Sequence, residues 1–137
     1  MKDEMLMISF SLKRRRVLIH RSTIRALNMP QNIRFLLNTA KNRVVIQSCE
    51  PIDRDNFAVP DFNSVCQFEI SSINFLNVVY KMAKWDSEKT YRVEGKHYEA
   101  NHLVEFDLRR SVQISDDEFV DEDAIIPDSI KQEMGEI

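Results

Sequence analysis

The chain has 137 residues, of which 43% are hydrophobic and 30% charged, with a formal net charge of −3. This length suits one domain, or two small halves that share a core, and no apolar run approaches the roughly 20 residues that a membrane-spanning helix requires. Only two residues are glycine, which argues against a phosphate-cradling glycine loop. We predict no membrane segment and no secretory signal, and therefore a cytoplasmic protein whose Cys49 and Cys66 stay reduced.

The first half of the chain predicts four strands and one short helix. Residues 7–12 alternate apolar and polar side chains, which is typical of a strand. Ser22 is placed to cap a helix that ends shortly before Pro30. The polar segment between Leu37 and Val44 predicts a hairpin loop. The predicted elements are strands at 7–12, 17–20, 33–37 and 44–47 and a helix at 23–28.

The second half predicts a similar order after a connector at residues 50–63, which is rich in Pro, Asp and Asn. Ser71 or Ser72 is placed to cap a longer helix that runs to about Trp85. The apolar residues of this helix recur at helical spacing, so one face should be buried. The predicted elements are strands at 65–70, 91–93 and 103–106, the last two forming a hairpin with residues 95–101 between them.

The two halves share a short pattern. Residues 22–28 read Ser-Thr-Ile-Arg-Ala-Leu-Asn, and residues 71–77 read Ser-Ser-Ile-Asn-Phe-Leu-Asn. A predicted strand precedes each match and a predicted hairpin follows each, although shared capping chemistry alone would also explain the likeness. We predict one α+β domain of two duplicated β-α-β-β units that share a mixed or antiparallel sheet. The domain spans residues 1–110, its halves are 5–49 and 64–110, and residues 111–137 form an acidic tail.

Basic residues dominate the first half, where nine lie between Glu4 and Glu50 with no acidic residue among them. Seven of the nine are arginines, whose planar donor fork binds phosphate at any cellular pH. On a β-α-β-β unit these side chains could converge on one face that binds nucleic acid. A solvated surface, pairing with acids elsewhere in the chain, and binding to an acidic protein surface stay open. The predicted nucleic-acid-binding residues are Lys13, Arg14, Arg15, Arg16, Arg21, Arg25, Arg34, Lys41 and Arg43.

The tail, residues 111–137, holds nine acidic residues against one lysine, a difference of eight negative charges. An acidic segment tethered to a basic domain acts at high effective concentration, and it could exclude weakly bound nucleic acid. It could equally be a ligand for a protein partner, with Phe119, Ile125 and Ile126 as the anchors. A tail that only keeps the protein soluble is the third interpretation.

No pattern in the chain predicts catalysis, a metal site or a cofactor. The three histidines have no metal-ligand spacing, either among themselves or with the two cysteines. Nucleophile-elbow, Walker and dinucleotide-binding patterns are absent from the sequence. Tyr91 and Tyr98 are candidates for stacking on nucleic-acid bases, whereas Trp85 is expected in the core or at its edge. We therefore predict a protein that is not an enzyme and uses no cofactor.

Three segments resemble a small uncharacterised protein family of gut Firmicutes: Ile-His-Arg-Ser-Thr-Ile-Arg-Ala-Leu-Asn at 19–28, Asn-Ile-Arg-Phe-Leu-Leu-Asn at 32–38 and Thr-Tyr-Arg-Val-Glu-Gly at 90–95. The resemblance covers about residues 7–110 and implies no active site. Such small proteins often travel on phages and conjugative elements, which implies a regulator or a modulator of host defence. A second similarity is to the AbrB/MazE-type swapped-hairpin transcription factors, which carry a basic strand, a short helix and a further hairpin, as residues 16–47 do here.

The leading functional prediction is a non-enzymatic DNA-binding regulator that uses the arginine-rich first half, with the acidic tail as its modulator. The alternative is a protein–protein interaction module or inhibitor, of mobile-element or host-defence type, that docks other proteins through its charged surfaces. DNA and a protein partner are the two candidate ligands. Homo-oligomerisation stays open, and no membrane partner is predicted.

Overall fold

The computed structural model of the protein describes residues 5–60 and 68–119. These ranges contain nine strands, two α-helices and three short 3-10 helices, and neither α-helix is long and apolar enough to cross a bilayer. The strands are β1 Met7–Ser11, β2 Arg16–Ile19, β3 Asn32–Asn38, β4 Arg43–Cys49, β5 Asn56–Ala58, β6 Phe68–Ile70, β7 Thr90–Tyr98, β8 Leu103–Asp107 and β9 Val112–Ile114. The helices are α1 Arg21–Ala26 and α2 Ile73–Ala83, and the 3-10 helices are Glu99–Asn101, Leu108–Arg110 and Asp116–Glu118.

The strands form one curled sheet in the order β5-β3-β4-β8-β7-β1-β2-β6, and β9 adds to β7. Every described pairing is antiparallel. The predicted α+β class is therefore confirmed. β1 is an interior strand, because it pairs with β2 on one side and with β7 on the other.

The two halves of the sheet have similar strand pairings. If β1, β2, β3 and β4 are matched with β5, β6, β7 and β8 in that order, most pairings of one half have a counterpart in the other. The β3–β4 hairpin corresponds to the β7–β8 hairpin, and the two hairpins meet through β4 and β8. β1 pairs with β7 as β5 pairs with β3, and β2 pairs with β6. Descent of the two halves from a duplicated unit stays a prediction.

The first predicted hairpin is confirmed, and the predicted connector contains a strand. β3 and β4 pair along their whole length, from Asn32 opposite Cys49 to Asn38 opposite Arg43. Within the segment expected to be a plain connector, β5 forms and pairs with the start of β3. Residues 65–67, the start of the next predicted strand, lie outside the described residues, and β6 begins at Phe68.

One of the two predicted helix caps is correct. The Ser72 hydroxyl accepts a hydrogen bond from the Phe75 amide at 3.4 Å, so Ser72 caps α2 as expected. The prediction for Ser22 is wrong, because α1 begins one residue before it and His20 is the N-cap residue. The Ser22 hydroxyl instead donates to the Met5 carbonyl oxygen at 2.7 Å, since the chain entering β1 passes beside this helix.

The predicted second hairpin had the wrong partners. β7 runs continuously from Thr90 to Tyr98, through Gly95, which the sequence placed in a loop. Its second half pairs with β8, from Gly95 opposite Phe106 to Tyr98 opposite Leu103. Its first half pairs with β1 and β9 instead. One long strand therefore joins the two hairpins to the N-terminal strand.

One apolar core fills the inside of the curled sheet beneath α2. Leu76, Val79 and Tyr80 of α2 are buried, so the expected apolar face of this helix is confirmed. Phe10 of β1 is fully buried, and its ring centroid lies 5.5 Å from that of Trp85. Helix, central strand and the Trp85 ring are thus packed as one body.

Gly95 leaves room for an aromatic ring in this core. A Cβ atom at this position would lie 2.6 Å from the Phe106 ring and 2.7 Å from a Val104 methyl group. Both distances are shorter than van der Waals contact, so a larger residue requires the ring or the strand to move.

Gly95→Ala is therefore expected to lower the free energy of unfolding by about 1–3 kcal/mol, the usual cost of an overpacked core. Urea titration followed by tryptophan fluorescence measures the change. Lys96→Ala, at the next and exposed position, is the control and should change stability by less than about 0.5 kcal/mol. Equal midpoints for Gly95→Ala and the parent chain would show that Phe106 yields without cost.

The sheet continues beyond residue 110, where the sequence placed the start of the tail. β9 pairs with β7, with Thr90 opposite Ile114. Phe119 is 6% exposed and packs with Leu18 and Ile114 in a small second cluster. Residues 111–119 are thus part of the folded domain.

Candidate nucleic-acid interface

Four consecutive basic residues, 13–16, lie where β1 turns into β2, and we term them the basic turn. Ser11 and Arg16 form the last register pair of the two strands, so the connection is short. The Arg15 amide donates to the Leu12 carbonyl oxygen at 3.0 Å, and Arg15 has a φ angle of 59°. All four basic residues are exposed. The turn therefore presents four adjacent cations to solvent.

A buried tyrosine of α2 holds the start of this turn. Tyr80 is 4% exposed, and its hydroxyl accepts a hydrogen bond from the Leu12 amide at 3.1 Å. The hydroxyl oxygen also lies 2.6 Å from the Lys89 carbonyl oxygen and 3.1 Å from that of Phe10, so it donates its one proton here. Burial raises the pKa of Tyr80 to about 12, which keeps this donor protonated.

Residues 115–119, which we term the acidic strap, fold back against the basic turn. The Asp116 carboxylate lies 2.8 Å from Lys13 Nζ and 3.9 Å from a terminal nitrogen of Arg14. The Arg14 guanidinium also lies 5.9 Å from the centroid of the Phe119 ring, which is a cation–π distance. Two cations of the basic turn are therefore in contact with the strap.

The strap has a defined local conformation. The Glu118 carboxylate accepts a hydrogen bond from the Ser115 amide at 3.0 Å, and the Ser115 hydroxyl accepts in return from the Glu118 amide, which forms a capping box. β9 directly precedes the strap and is paired with β7. Phe119 ends it in the cluster with Leu18 and Ile114. Strand, capping box and aromatic anchor together fix where the acidic side chains lie.

The sheet surface beneath the strap is mostly polar. Ser9 and Ser11 are fully buried and Thr90 is 1% exposed. The hydroxyl groups of Thr90 and Ser11 form a hydrogen bond of 3.2 Å. Arg92 donates to the Ser9 hydroxyl at 3.1 Å and to the backbone carbonyl of Glu118 in the strap. This face of β1 and β7 thus carries hydroxyl groups and a guanidinium.

Two carboxylates of the strap, those of Asp116 and Glu118, have a lowered pKa, which favours their ionised form. A hydrogen bond from Lys13, with smaller contributions from neighbouring groups, holds the pKa of Asp116 below its ordinary value of 3.8. Hydrogen bonds from Ser115 hold the pKa of Glu118 below its ordinary value of 4.5. A carboxylate with a lowered pKa stabilises the fold above its ordinary pKa and loses this effect as the pH falls through the lowered value. The strap contacts are therefore complete throughout the neutral range.

Two predicted phosphate-binding residues lie at the other end of β2. β2 runs away from the basic turn, and α1 follows it after one residue, so Arg21 and Arg25 are separated from the turn by the length of the strand. Arg21 is 9% exposed, whereas Arg25 is exposed in the last turn of α1.

Three more lie across the sheet. Arg34 donates to the Gln47 side chain at 3.0 and 3.1 Å, and Arg43 forms an ion pair with Glu105 at 2.9 Å. Lys41 is exposed in the β3–β4 turn, with β8 and β7 between β4 and β1. The structure thus brings together four of the nine basic residues, at the basic turn. The other five lie on α1, β3, β4 and the β3–β4 turn, which are separated from the basic turn by the length of β2 or by the width of the sheet.

The aromatic candidates have intramolecular neighbours. Tyr91 stacks on Trp85 with ring centroids 4.4 Å apart and an interplanar angle of 13°. Trp85 packs against the core, as expected, and its indole donates to the Ser111 hydroxyl at 3.1 Å. Tyr98 lies on β7 with the Lys96 ammonium 5.3 Å from its ring centroid. One face of Tyr91 is therefore covered by Trp85.

An open groove of about 760 Å³ follows β4, β8 and β7. Its charged lining is balanced, with three basic and three acidic side chains: Arg43, Lys96, Arg110, Glu94, Glu105 and Asp107. A hydrogen bond from Arg109 holds the pKa of Asp107 below its ordinary value. A balanced lining does not favour a polyanion, in contrast to the basic turn.

Among residues 5–60 and 68–119, the side-chain geometry supports neither a metal site nor a reactive thiol. Within residues 5–60 and 68–119, no group of three or more His, Cys, Asp or Glu side chains is placed to hold a metal ion. Burial raises the pKa of Cys49, which disfavours its thiolate. Cys66 lies outside the described residues, as do Ile125 and Ile126, the other two predicted anchors of the tail.

Comparison with protein-family models, with curated proteins and with solved structures finds no match. The function has to follow from the residues themselves.

Sequence reasoning missed the polar face beneath the strap. Arg92 stands between Tyr91 and Val93, so alternation along the strand places it opposite the core. Its partner Ser9 is 83 residues away, however, and no local pattern predicts that pairing. Alternation along the strand could therefore have shown which face Arg92 occupies. The pairing of β1 with β7, which places Ser9 beside it, could not be predicted from the sequence.

Proposed function

We propose that this protein binds nucleic acid through the phosphate backbone and acts as a non-enzymatic DNA-binding regulator. The basic turn carries this proposal, because it presents four adjacent exposed cations on a connection held by Tyr80. Arginine and lysine side chains bind phosphate strongly, and such contacts position a protein on nucleic acid without reading its sequence. The proposed primary contacts are Lys13, Arg14, Arg15 and Arg16.

The acidic segment is proposed as the modulator of this site. Asp116 contacts Lys13 at 2.8 Å, so the acidic segment places a carboxylate beside the cations of the basic turn. A tethered group of this kind competes with weak polyanions more effectively than with tightly bound ones. Selectivity for strong sites is the expected result.

A second candidate function is that of a protein-binding module or inhibitor. The contact of Arg14 with the Phe119 ring, beside the Lys13–Asp116 pair, favours it, because an acidic peptide with an aromatic anchor already fits this surface. A partner carrying a similar segment would take the same place. The resemblance to proteins of phages and conjugative elements fits either function in a cytoplasmic regulator or host-defence modulator.

We also propose that the two β-α-β-β units arose by duplication. The support is the exchange of strands between the halves, β1 with β7 and β5 with β3, together with the pattern shared by residues 22–28 and 71–77. This exchange fits the similarity to swapped-hairpin factors. A fused pair of units would complete its sheet without a second chain, so homo-oligomers are not required for folding.

The proposal is tested by fluorescence anisotropy with labelled duplex and single-stranded oligonucleotides between 50 and 200 mM salt. If four phosphates are neutralised, the logarithm of the association constant should fall with the logarithm of salt concentration with a slope of about −3.6. An uncharged peptide nucleic acid of the same sequence is the matched control and should not bind. Absence of oligonucleotide binding at 50 mM salt would overturn the proposal, and a heterocomplex indifferent to added DNA would favour the protein-binding alternative.

A further inference from the structure

Two oxygen atoms of the acidic strap are held by two cations of the domain. The Asp116 carboxylate is bound by Lys13 at 2.8 Å, and the Glu118 backbone carbonyl accepts from the Arg92 guanidinium. Lys13 belongs to the basic turn, and Arg92 lies on β7, where it donates to the Ser9 hydroxyl of β1. The strap therefore places one carboxylate oxygen and one carbonyl oxygen against the Lys13 ammonium and the Arg92 guanidinium.

The donors include buried hydroxyl groups. Thr90 is 1% exposed and its hydroxyl group helps to lower the pKa of Asp116, while Ser11, to which Thr90 is hydrogen-bonded, is fully buried. Ammonium, guanidinium and hydroxyl groups arranged around an anionic oxygen are the donors that proteins use for phosphate. The carboxylate of Asp116 thus lies where the chemistry of the surface suits a phosphate oxygen.

The apolar part of the contact is small. Phe119 packs on Leu18 and Ile114, and these three residues form a cluster separate from the main core. The strap otherwise contacts Lys13, Arg14 and Arg92 through ion pairs and a hydrogen bond. Phosphate oxygens can form the same types of contact with these three side chains. A strap of this composition can leave the domain without opening the main core.

We infer that the acidic strap occupies, within the chain, a phosphate-binding surface that nucleic acid takes when the strap is displaced. This inference rests on the proposed function, and it adds residues of β7 to the nucleic-acid surface. It also makes the strap a direct competitor for the same donors. The surface consists of Lys13, Arg14, Thr90 and Arg92.

Asp116→Asn in the full chain tests the competition, with Asp117→Asn as the matched control. Asp117 is the adjacent and exposed acid, so both variants lose the same charge. Asp116→Asn should tighten oligonucleotide binding by about three- to fivefold, the upper range for the loss of one exposed ion pair. Asp117→Asn should change it by less than about twofold, as expected for a solvated surface charge. Equal affinities of the two variants would overturn the inference.

Arg92→Gln separates a ligand-binding role from a structural one. In the parent chain Arg92 is engaged with the strap, so its loss should change oligonucleotide affinity little. In the Asp116→Asn background the same change should remove most of the gain, because the guanidinium then contacts the ligand. A purely structural role would instead give equal changes in both backgrounds, and thermal melting by Trp85 fluorescence shows whether either chain is unfolded.

Inorganic pyrophosphate distinguishes failure of this inference from failure of the proposed function. Tighter pyrophosphate binding by Asp116→Asn than by Asp117→Asn, without oligonucleotide binding by any chain, would support the anion site and exclude the nucleic-acid function. Oligonucleotide binding by all chains, with Asp116→Asn and Asp117→Asn alike for both ligands, would leave the proposed function standing and remove the inference.

Discussion

Replacing Arg14 and Arg15 with glutamate is expected to weaken oligonucleotide binding by at least about a hundredfold. Each arginine–phosphate hydrogen bond contributes about 1.5–3 kcal/mol, and the two new carboxylates also repel the backbone. The salt slope should become shallower by about two, one for each lost phosphate contact. Anisotropy titrations of the double variant across the salt series measure both changes.

Arg25→Glu with Lys41→Glu is the matched control for this experiment. It makes the same change in net charge at two exposed residues that lie away from the basic turn, on α1 and on the β3–β4 turn. If the basic turn is the binding site, the control pair should lose less than about tenfold, through long-range electrostatics only. Equal losses for the two pairs would instead assign binding to the net charge of the first half.

Phe10→Ala is expected to lower the free energy of unfolding by about 3–5 kcal/mol, the usual cost of truncating a buried phenylalanine. The ring is fully buried on the interior strand β1 and contacts both Trp85 and Phe75, with centroid distances of 5.5 and 6.3 Å. Because the chain has one tryptophan, urea titration followed by its fluorescence reports directly on this contact.

Phe57→Ala removes the same ring from a different environment. Phe57 is half-buried on β5 and contacts Phe35 at a centroid distance of 5.6 Å. Its removal should cost about 1–2 kcal/mol, in proportion to the smaller apolar area that it covers. If the two truncations cost the same, the main core would not be centred on β1.

Elements that depend on neighbouring residues could be predicted from the sequence. The β3–β4 hairpin follows from two mainly apolar segments joined by a polar turn, and α2 follows from an apolar stripe behind Ser72. The wrong cap at Ser22 shows the limit of this approach, since the Met5 carbonyl that takes its proton comes from another element. A local sequence pattern shows which groups can form hydrogen bonds, whereas the tertiary structure determines which partner lies within reach.

Only the local part of the candidate site could be predicted from the sequence. Residues 13–16 were recognisable as a basic joint between two strands, and the structure places them there. The contact of Asp116 with Lys13, and the position of Arg92 beside β1, depend on strand pairings between distant parts of the chain. The nine basic residues do not share one face. Adjacent antiparallel strands run in opposite directions, so the turns and strands that carry these residues lie at different edges of the sheet.

The interior position of β1 has a consequence for synthesis in the cell. Ser11 pairs with Thr90, 79 residues later, so one edge of β1 has no partner while the ribosome makes the intervening chain. At about 5–20 residues per second this interval lasts roughly 4–16 s, during which an open strand edge can pair with another nascent chain. Yield of the native protein should therefore depend on chaperones and on growth temperature more than its modest size would suggest.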